Sequence, residues 1–211
     1  MGKGTHVVGL VSLDDDAPVL AVATAQGKIK RVNPDIPDKG AIDVIKLTDG
    51  DRVVGAMPAG DDDQIVLVTS NAQLLRFSAS AVRPQGRGGQ GVAGIRLADG
   101  AQVIAFGVVP DNDLAAHSVV TIAGSADALP GTVPGSAKVT PLDRFPAKGR
   151  ATGGVRAHRF LRGEDVLQMA WVGESPARAT GQGGKPLALP EVDERRDGSG
   201  EQLKTVVRAI G

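Results

Sequence analysis

The sequence predicts an all-β, propeller-like array of short four-stranded blades, and three observations carry that reading. First, the chain repeats itself. Laid over itself at an offset of 63 residues, "NAQLLRFSASAVRPQGRGGQGVAGIRLADGAQVIAF" falls on "GSAKVTPLDRFPAKGRATGGVRAHRFLRGEDVLQM". Arg87 then meets Arg150, Gly91–Val92 meets Gly154–Val155, Arg96 meets Arg159 and Gly100 meets Gly163. Equivalent glycines at 4, 50, 100 and 163 are 46, 50 and 63 residues apart, and periods of about 40–50 residues built from several short strands are the mark of propeller blades. Second, each unit reads as strand, strand, glycine loop, strand, strand, with Asp49-Gly50 and Asp99-Gly100 as hairpin signals. Third, one Trp, four Phe and no Tyr leave a core of Val, Ile, Leu and Ala, which suits strands.

Taken in order, Gly4–Val11 ("GTHVVGLV") matches "GDRVVGAM" at 50–57, so the chain opens on the last strand of a preceding or ring-closing blade. Units follow over about 12–60, 61–110, 111–173 and 174–211, within one domain. The second is the clearest: "IVLVTS", "QLLRFS", the loop, "AGIRLA", "QVIAFGVV". The fourth, "GGKPLALPEVDERRDGSGEQLKTVVRAIG", is weaker. Its end, "SGEQLKTVVRAIG", carries a helical capping pattern (Ser199, Gln202), but its paired valines and repeat register favour strand. Three whole blades and a fourth assembled from the chain ends are expected, with Gly4–Val11 pairing near Leu187 or Val206, because a lone terminal strand leaves an unpaired edge.

Composition excludes several classes. Over 211 residues the apolar and charged fractions, 41% and 23%, are those of an ordinary globular domain. The absence of Cys removes disulfide frameworks and thiolate metal sites. No apolar run approaches the ~20 residues of a membrane helix, and the N-terminus lacks a signal-peptide pattern, so a cytoplasmic setting is expected. "GRGGQG" at 86–91 matches the dinucleotide fingerprint, but a strand pattern follows it where that fingerprint needs a helix. "GQGGKP" has Pro where a P-loop needs Ser or Thr. His6, His117 and His158 show no metal-ligand spacing, and His158, in a basic strand, reads as a surface or DNA-edge residue rather than a ligand. No catalytic set and no cofactor site emerge.

Lys+Arg and Asp+Glu balance at 24 each, yet the signs separate in phase with the repeat. Acids gather where units meet: Asp14–Asp16, Asp61–Asp63, Asp111 and Asp113, Glu174. Bases gather inside them: Arg76, Arg83, Arg87 and Arg96 in the second unit; Lys138, Arg144, Lys148, Arg150, Arg156, Arg159 and Arg162 in the third. Equivalent positions in a blade array share a face, so this phasing predicts a basic band suited to a polyanion. With few aromatics to stack bases on, the expected polyanion is duplex DNA held by its phosphates. The glycine loop supplies close backbone approach and amide donors, and Arg87 adds a two-pronged donor.

At "VTSNAQLLRFSASAVRPQGRGGQGVAGIRLADG", and again at "KVTPLDRFPAKGRATGGVRAHRFLRGED" and the "RRDGSG" tail, the chain resembles the C-terminal domain of the A subunit of bacterial type IIA topoisomerases, gyrase and topoisomerase IV, with an actinobacterial look. The resemblance covers essentially the whole chain. It implies a β-pinwheel, a propeller-like array whose blades exchange strands and whose basic rim bends or wraps duplex DNA. Gln85, Gly86, Arg87, Gly88, Gly89, Gln90 and Gly91 stand where gyrases carry Q-R-R-G-G-K-G, with Gly86 replacing an Arg and Gln90 the Lys. That departure favours a topoisomerase IV-like protein. The DNA edge is expected to comprise this loop with Arg76, Arg83, Arg96, Lys28, Lys30, Arg31, Lys138, Lys148, Arg150, Arg156 and Arg159. The family's cleavage tyrosine lies in an upstream breakage-reunion domain and its ATPase on the B subunit. The implied partners are therefore those two and duplex DNA, and the chain is expected to be the non-enzymatic DNA-handling part; its start in mid-blade gives the look of a fragment, an isolated domain or a truncated reading frame. The alternative is a protein–protein scaffold.

Overall fold

The computed structural model describes residues 6–12, 14, 17–33, 40–129 and 131–211. All its regular structure is strand, apart from four short 3-10 turns. The strands are β1 (Leu20–Thr24), β2 (Lys28–Val32), β3 (Val53–Pro58), β4 (Asp63–Thr69), β5 (Gln73–Ser78), β6 (Val92–Ala93), β7 (Val103–Pro110), β8 (His117–Gly124), β9 (Ser136–Pro141), β10 (Val155–Arg156), β11 (Val166–Glu174), β12 (Ala179–Thr180), β13 (Pro186–Leu187), β14 (Glu201–Gln202) and β15 (Ala209–Ile210).

They form three four-stranded antiparallel sheets, ordered β3-β1-β2-β6, β10-β5-β4-β7 and β11-β8-β9-β14, and one three-stranded sheet, β13-β12-β15. The order shows where each unit's third strand goes. Residues 92–93 belong by sequence to the second unit, yet pair with Ile29 and Lys28 of the first blade. Residues 155–156 likewise pair with Leu74 and Gln73 of the second blade, and 201–202 with Ala137 and Ser136 of the third. Each of the first three blades is finished by the following unit. The second unit supplies the four strands read from the sequence, β4, β5, β6 and β7, but its third strand completes the blade before it, which is the strand exchange implied by the family resemblance.

Three clusters, one between each pair of neighbouring sheets, make up the core. Ile65 and Leu67 of β4 join Ile29, Leu75, Phe77 and Val103 in the first. Val66 and Val68, on the opposite face of β4, join Leu74, Val119, Leu142 and Phe145 in the second. Val120, Ile122, Val139, Ala179 and Val207 form the third. A strand sandwiched on both faces has no solvent side, so β4 runs apolar at every position from Ile65 to Val68.

The chain ends depart from expectation. Among the described residues, 6–12 carry no strand and lie beside β3, with Gly9 against the Ala56 carbonyl. Over residues 6–11 the pairing expected of Gly4–Val11 near Leu187 or Val206 is not seen; Gly4 and Thr5, with Asp15 and Asp16 of the first acidic run, lie outside the described residues. The fourth sheet is built from residues 179–210 alone and lacks an N-terminal strand. The C-terminal segment 199–211 holds no helix; it carries two short strands, β14 in the third sheet and β15 in the fourth.

Candidate nucleic-acid interface

The glycine loop is shaped by the crossing from one blade to the next. After β5 a 3-10 turn at Ala79–Ala81, capped by the Ser78 side chain, turns the chain away. It re-enters the first blade where Gln85 N–H donates to Arg31 O at 2.9 Å. Gly91 then takes φ +77°, in a space where a Cβ would sit 2.6 Å from Ile29 O, before β6 pairs. Only glycine meets both conditions. The next crossing repeats this geometry: Lys148 N–H donates to Arg76 O at 2.9 Å, and Gly154 (φ +74°) leaves a Cβ 2.5 Å from Leu74 O. At the third, Asp193 N–H donates to Val139 O at 2.9 Å. Gln85, Lys148 and Asp193 are therefore equivalent, and so are the loops that follow them.

This register separates the sequence-predicted cations into two groups. Lys30, Arg31, Arg76 and Lys138 are buried. The sequence places them on the DNA edge; the fold engages them inside instead. Arg31 donates from Nη1 to Ala79 O (3.1 Å) and Val82 O (3.3 Å), from Nη2 to Ala59 O (3.1 Å), and pairs with Asp61 at 2.7 Å. Arg76 donates from Nε to Phe145 O (3.0 Å) and faces Asp111 at 3.7 Å. Part of the charge phasing thus has an internal cause: the acids at unit boundaries partner arginines of the strands. Lys30 Nζ donates to Val44 O (2.9 Å), Arg87 O (2.6 Å) and Gly89 O (3.0 Å). Lys138, its register equivalent, donates to Ala157 O (3.1 Å), Arg196 O (2.7 Å) and Thr140 Oγ1 (2.7 Å). Burial lowers the pKa of Lys30 and Arg76. It brings Lys138 down to about 8 against the opposing pull of Asp193 and Asp197.

The second group stays outside. Arg83, Arg96, Arg156 and Arg159 are exposed, and their guanidinium groups have no partner among the described residues. Lys28 is half-buried, and Lys148 is exposed with Nζ 3.2 Å from Gly154 O. In the loop, Gly86, Gly88 and Gln90 are exposed, while Gln85, Arg87, Gly89 and Gly91 are half-buried. A Cβ at Gly88 would meet nothing within 4 Å, so this glycine serves no internal packing. Arg150 is half-buried and bridges blades, donating to Ala81 O and Ala93 O.

The third loop adds a cation that the sequence reading of the DNA edge leaves out. Arg196 Nη1 donates to Arg156 O at 3.4 Å, which makes Arg196 the counterpart of Arg150, since Ala93 and Arg156 hold equivalent places. The "RRDGSG" stretch is the signal that locates it. The cations around this loop are countered by neighbours, Arg195 by Asp193 at 3.2 Å and Arg144 by Glu194. His158, a surface residue on the sequence reading, is buried. Its Nδ1 lies 2.8 Å from Thr121 Oγ1, and its Nε2 accepts from Gly200 N–H at 3.2 Å. The hydrogen-bond network thus places the proton on Nδ1. Burial lowers its pKa to about 4.

Over residues 41–59, 63–110 and 135–170 the chain matches the family described as DNA gyrase C-terminal domain, beta-propeller. The chain belongs to the gyrase A C-terminal domain family. Among its relatives, the DNA gyrase A protein of Mycolicibacterium smegmatis is 35% identical over 76% of this chain and 20% of that protein. The corresponding Deinococcus deserti protein is 35% identical over 72% and 20%, and that of Escherichia coli 30% over 72% and 18%. The chain thus spans about a fifth of the length of these relatives. Its fold is shared with the C-terminal domain of a DNA topoisomerase IV (TM-score 0.76, 18% identity, 93% of this chain and 62% of that one). It is shared also with a DNA gyrase A C-terminal domain (TM-score 0.71, 22% identity, 94% and 64%). Among the described residues, no helix is long and apolar enough to cross a membrane.

Proposed function

We propose that this domain grips duplex DNA by its phosphates and bends or wraps it for the A subunit of a type IIA topoisomerase in a bacterial cytoplasm. The supporting observation is the repetition, at equivalent places on successive blades, of arginines whose guanidinium groups have no partner among the described residues. Arg96 and Arg159 both follow an exchanged strand, and both anchor by N–H to the next loop, at Thr152 O (3.0 Å) and Gly198 O (2.9 Å). Arg83 and Arg156 flank the same crossings. A guanidinium with no internal acceptor is free to meet a phosphate, and arginines at a fixed structural repeat suit a polymer whose charges also repeat. Catalysis belongs to other parts of the holoenzyme, the breakage-reunion domain and the ATPase B subunit. With no Tyr in the chain, it forms no covalent DNA adduct alone, and detection of one would refute the assignment.

A salt series tests the grip. Each phosphate contact contributes roughly 0.9 to the slope of log affinity against log salt. Replacing Arg96 and Arg159 together by Ala lowers the slope by about 1.8 on every duplex sequence alike. An unchanged slope in a folded double variant moves the scaffold reading ahead. That reading would use the groove of about 990 Å³ beside β13, lined in part by Pro186, Leu187, Leu189, Leu203 and Val206.

A further inference from the structure

The loop Gln85–Gly91 is organised from inside by a lysine that the DNA does not see. Lys30 is fully buried, and its ammonium draws the carbonyls of Arg87 and Gly89 inward, at 2.6 and 3.0 Å. A trans peptide is planar, with its N–H opposite its C=O. Turning those two carbonyls in therefore turns the N–H groups of Gly88 and Gln90 out. Both residues are exposed, and neither amide has an acceptor among the described residues. The third bond of Lys30, to Val44 O at 2.9 Å, ties the loop to the segment before β3, and Lys46 N–H adds a further bond to Gly89 O at 3.2 Å. The loop is thus held along its inner side and open along its outer side.

We infer that Lys30 is a positioning residue, which builds a phosphate-oxygen site from the outward amides of Gly88 and Gln90. Two donors two residues apart on one face form an anion-binding concavity, and a cation behind each carbonyl polarises the same peptide units whose N–H groups face out. Glycine at 88 leaves that face uncovered, since a Cβ there has open space around it. The other blades support the role by contrast. The register equivalent of Lys30 in the second blade is Leu75, and there the loop is tied differently, by Arg150 and Lys148. In the third it is Lys138, which draws Arg196 O inward at 2.7 Å and so turns the Asp197 amide out. Carboxylates of that loop oppose an anion, which leaves the first blade as the amide site.

The inference rests on the DNA reading, and the test separates the two. Duplex affinity of the whole 211-residue chain is measured across a salt series for wild type, Lys30→Met, Lys30→Gln and Arg96→Ala. Exchange rates of the two amide hydrogens that tie the loop down, Gln85 (to Arg31 O) and Lys46 (to Gly89 O), are measured without DNA. Lys30→Met should bind about tenfold or more weakly at every salt concentration, through loss of two charge-assisted bonds, with an unchanged slope and faster exchange at those two amides. Lys30→Gln, which keeps two N–H donors, should recover most of the affinity and the slow exchange. Arg96→Ala should lower the slope by roughly 0.9. If either Lys30 variant lowers the slope by that amount, Lys30 touches a phosphate itself and the inference falls. It falls equally if Lys30→Met binds and exchanges like wild type. Should Lys30→Met fail to fold, Lys30→Gln decides through its slope and exchange rates. Failure of wild type to bind any duplex overturns the DNA reading, while fast exchange of those two amides in Lys30→Met still marks the lysine as the loop's organiser.

Discussion

His158 shows how a residue's role follows from what surrounds it. Its imidazole is 1% exposed between two hydroxyls and the Gly200 amide. A second ring proton would face Gly200 N–H, a donor. Burial pushes its pKa to about 4, with Glu164 raising it and Lys138 lowering it. The unfolded chain titrates near 6.5, so between these values it binds more protons than the native state, and stability falls as pH drops from 6.5 towards 4. The contribution is on the order of 3 kcal/mol. Thermal melts from pH 7.5 to 4.5 should fall more steeply for wild type than for His158→Gln; parallel curves would exclude the role. Lys138 works at the other end: with its pKa lowered to about 8, its contribution to stability rises with pH above 8. The loop glycines divide in the same local way. Gly91→Ala, forced to φ +77° against Ile29 O, should cost about 2 kcal/mol or more in urea unfolding. Gly88→Ala should fall within about 0.5 kcal/mol of wild type.

Within a strand, the elements packed on each face decide which charges meet water. β2 reads Lys-Ile-Lys-Arg-Val, the pattern of a solvated edge, yet Ile29 through Val32 are all buried. Both faces of β2 are covered, one by the loop from the next unit and one by the core, so Lys30 and Arg31 need acceptors. They find backbone carbonyls and a boundary aspartate. Arg31→Met should cost about 2–4 kcal/mol, since it leaves the Ala59 and Val82 carbonyls without a donor and strips Asp61 of its partner. It should also leave the salt slope of DNA binding unchanged in whatever fraction stays folded. A drop in slope would return Arg31 to the DNA edge. Chemical denaturation and the salt series together read both quantities.

Strand exchange makes each of the first three blades depend on the unit after it. β14 completes the third blade, and Ala179 and Val207 cover Val120 and Val139 of that blade. Removing residues 175–211 therefore uncovers the β9 edge and one face of the third sheet, while the first blade, completed by β6, keeps its strand pairing. Native-state hydrogen exchange should lose protection at Ser136–Pro141 and retain it at Leu20–Thr24. Uniform loss along the chain would mean that the blades unfold as one unit and that exchange gives them no hierarchy.

The repeat, the all-β class, the strand cores and the in-phase loops are all legible in the amino-acid order. They rest on local signals: β-branched runs, Asp-Gly turns, and glycines at positions where a Cβ has no room. The family resemblance lies in the same loops, at "GRGGQG", "KGRATGG" and "RRDGSG". Which cations are available is a property of the folded chain alone. Arg31 and Asp61 are 30 residues apart in sequence and 2.7 Å apart in the fold, and nothing local to either residue encodes that approach. Lys30 is surrounded by residues 44, 87 and 89 because a strand from the next unit closes over it. A charge pattern in a sequence records where charges recur. Whether they face solvent or one another depends on which elements fold over them, and here those elements come from neighbouring units of the chain.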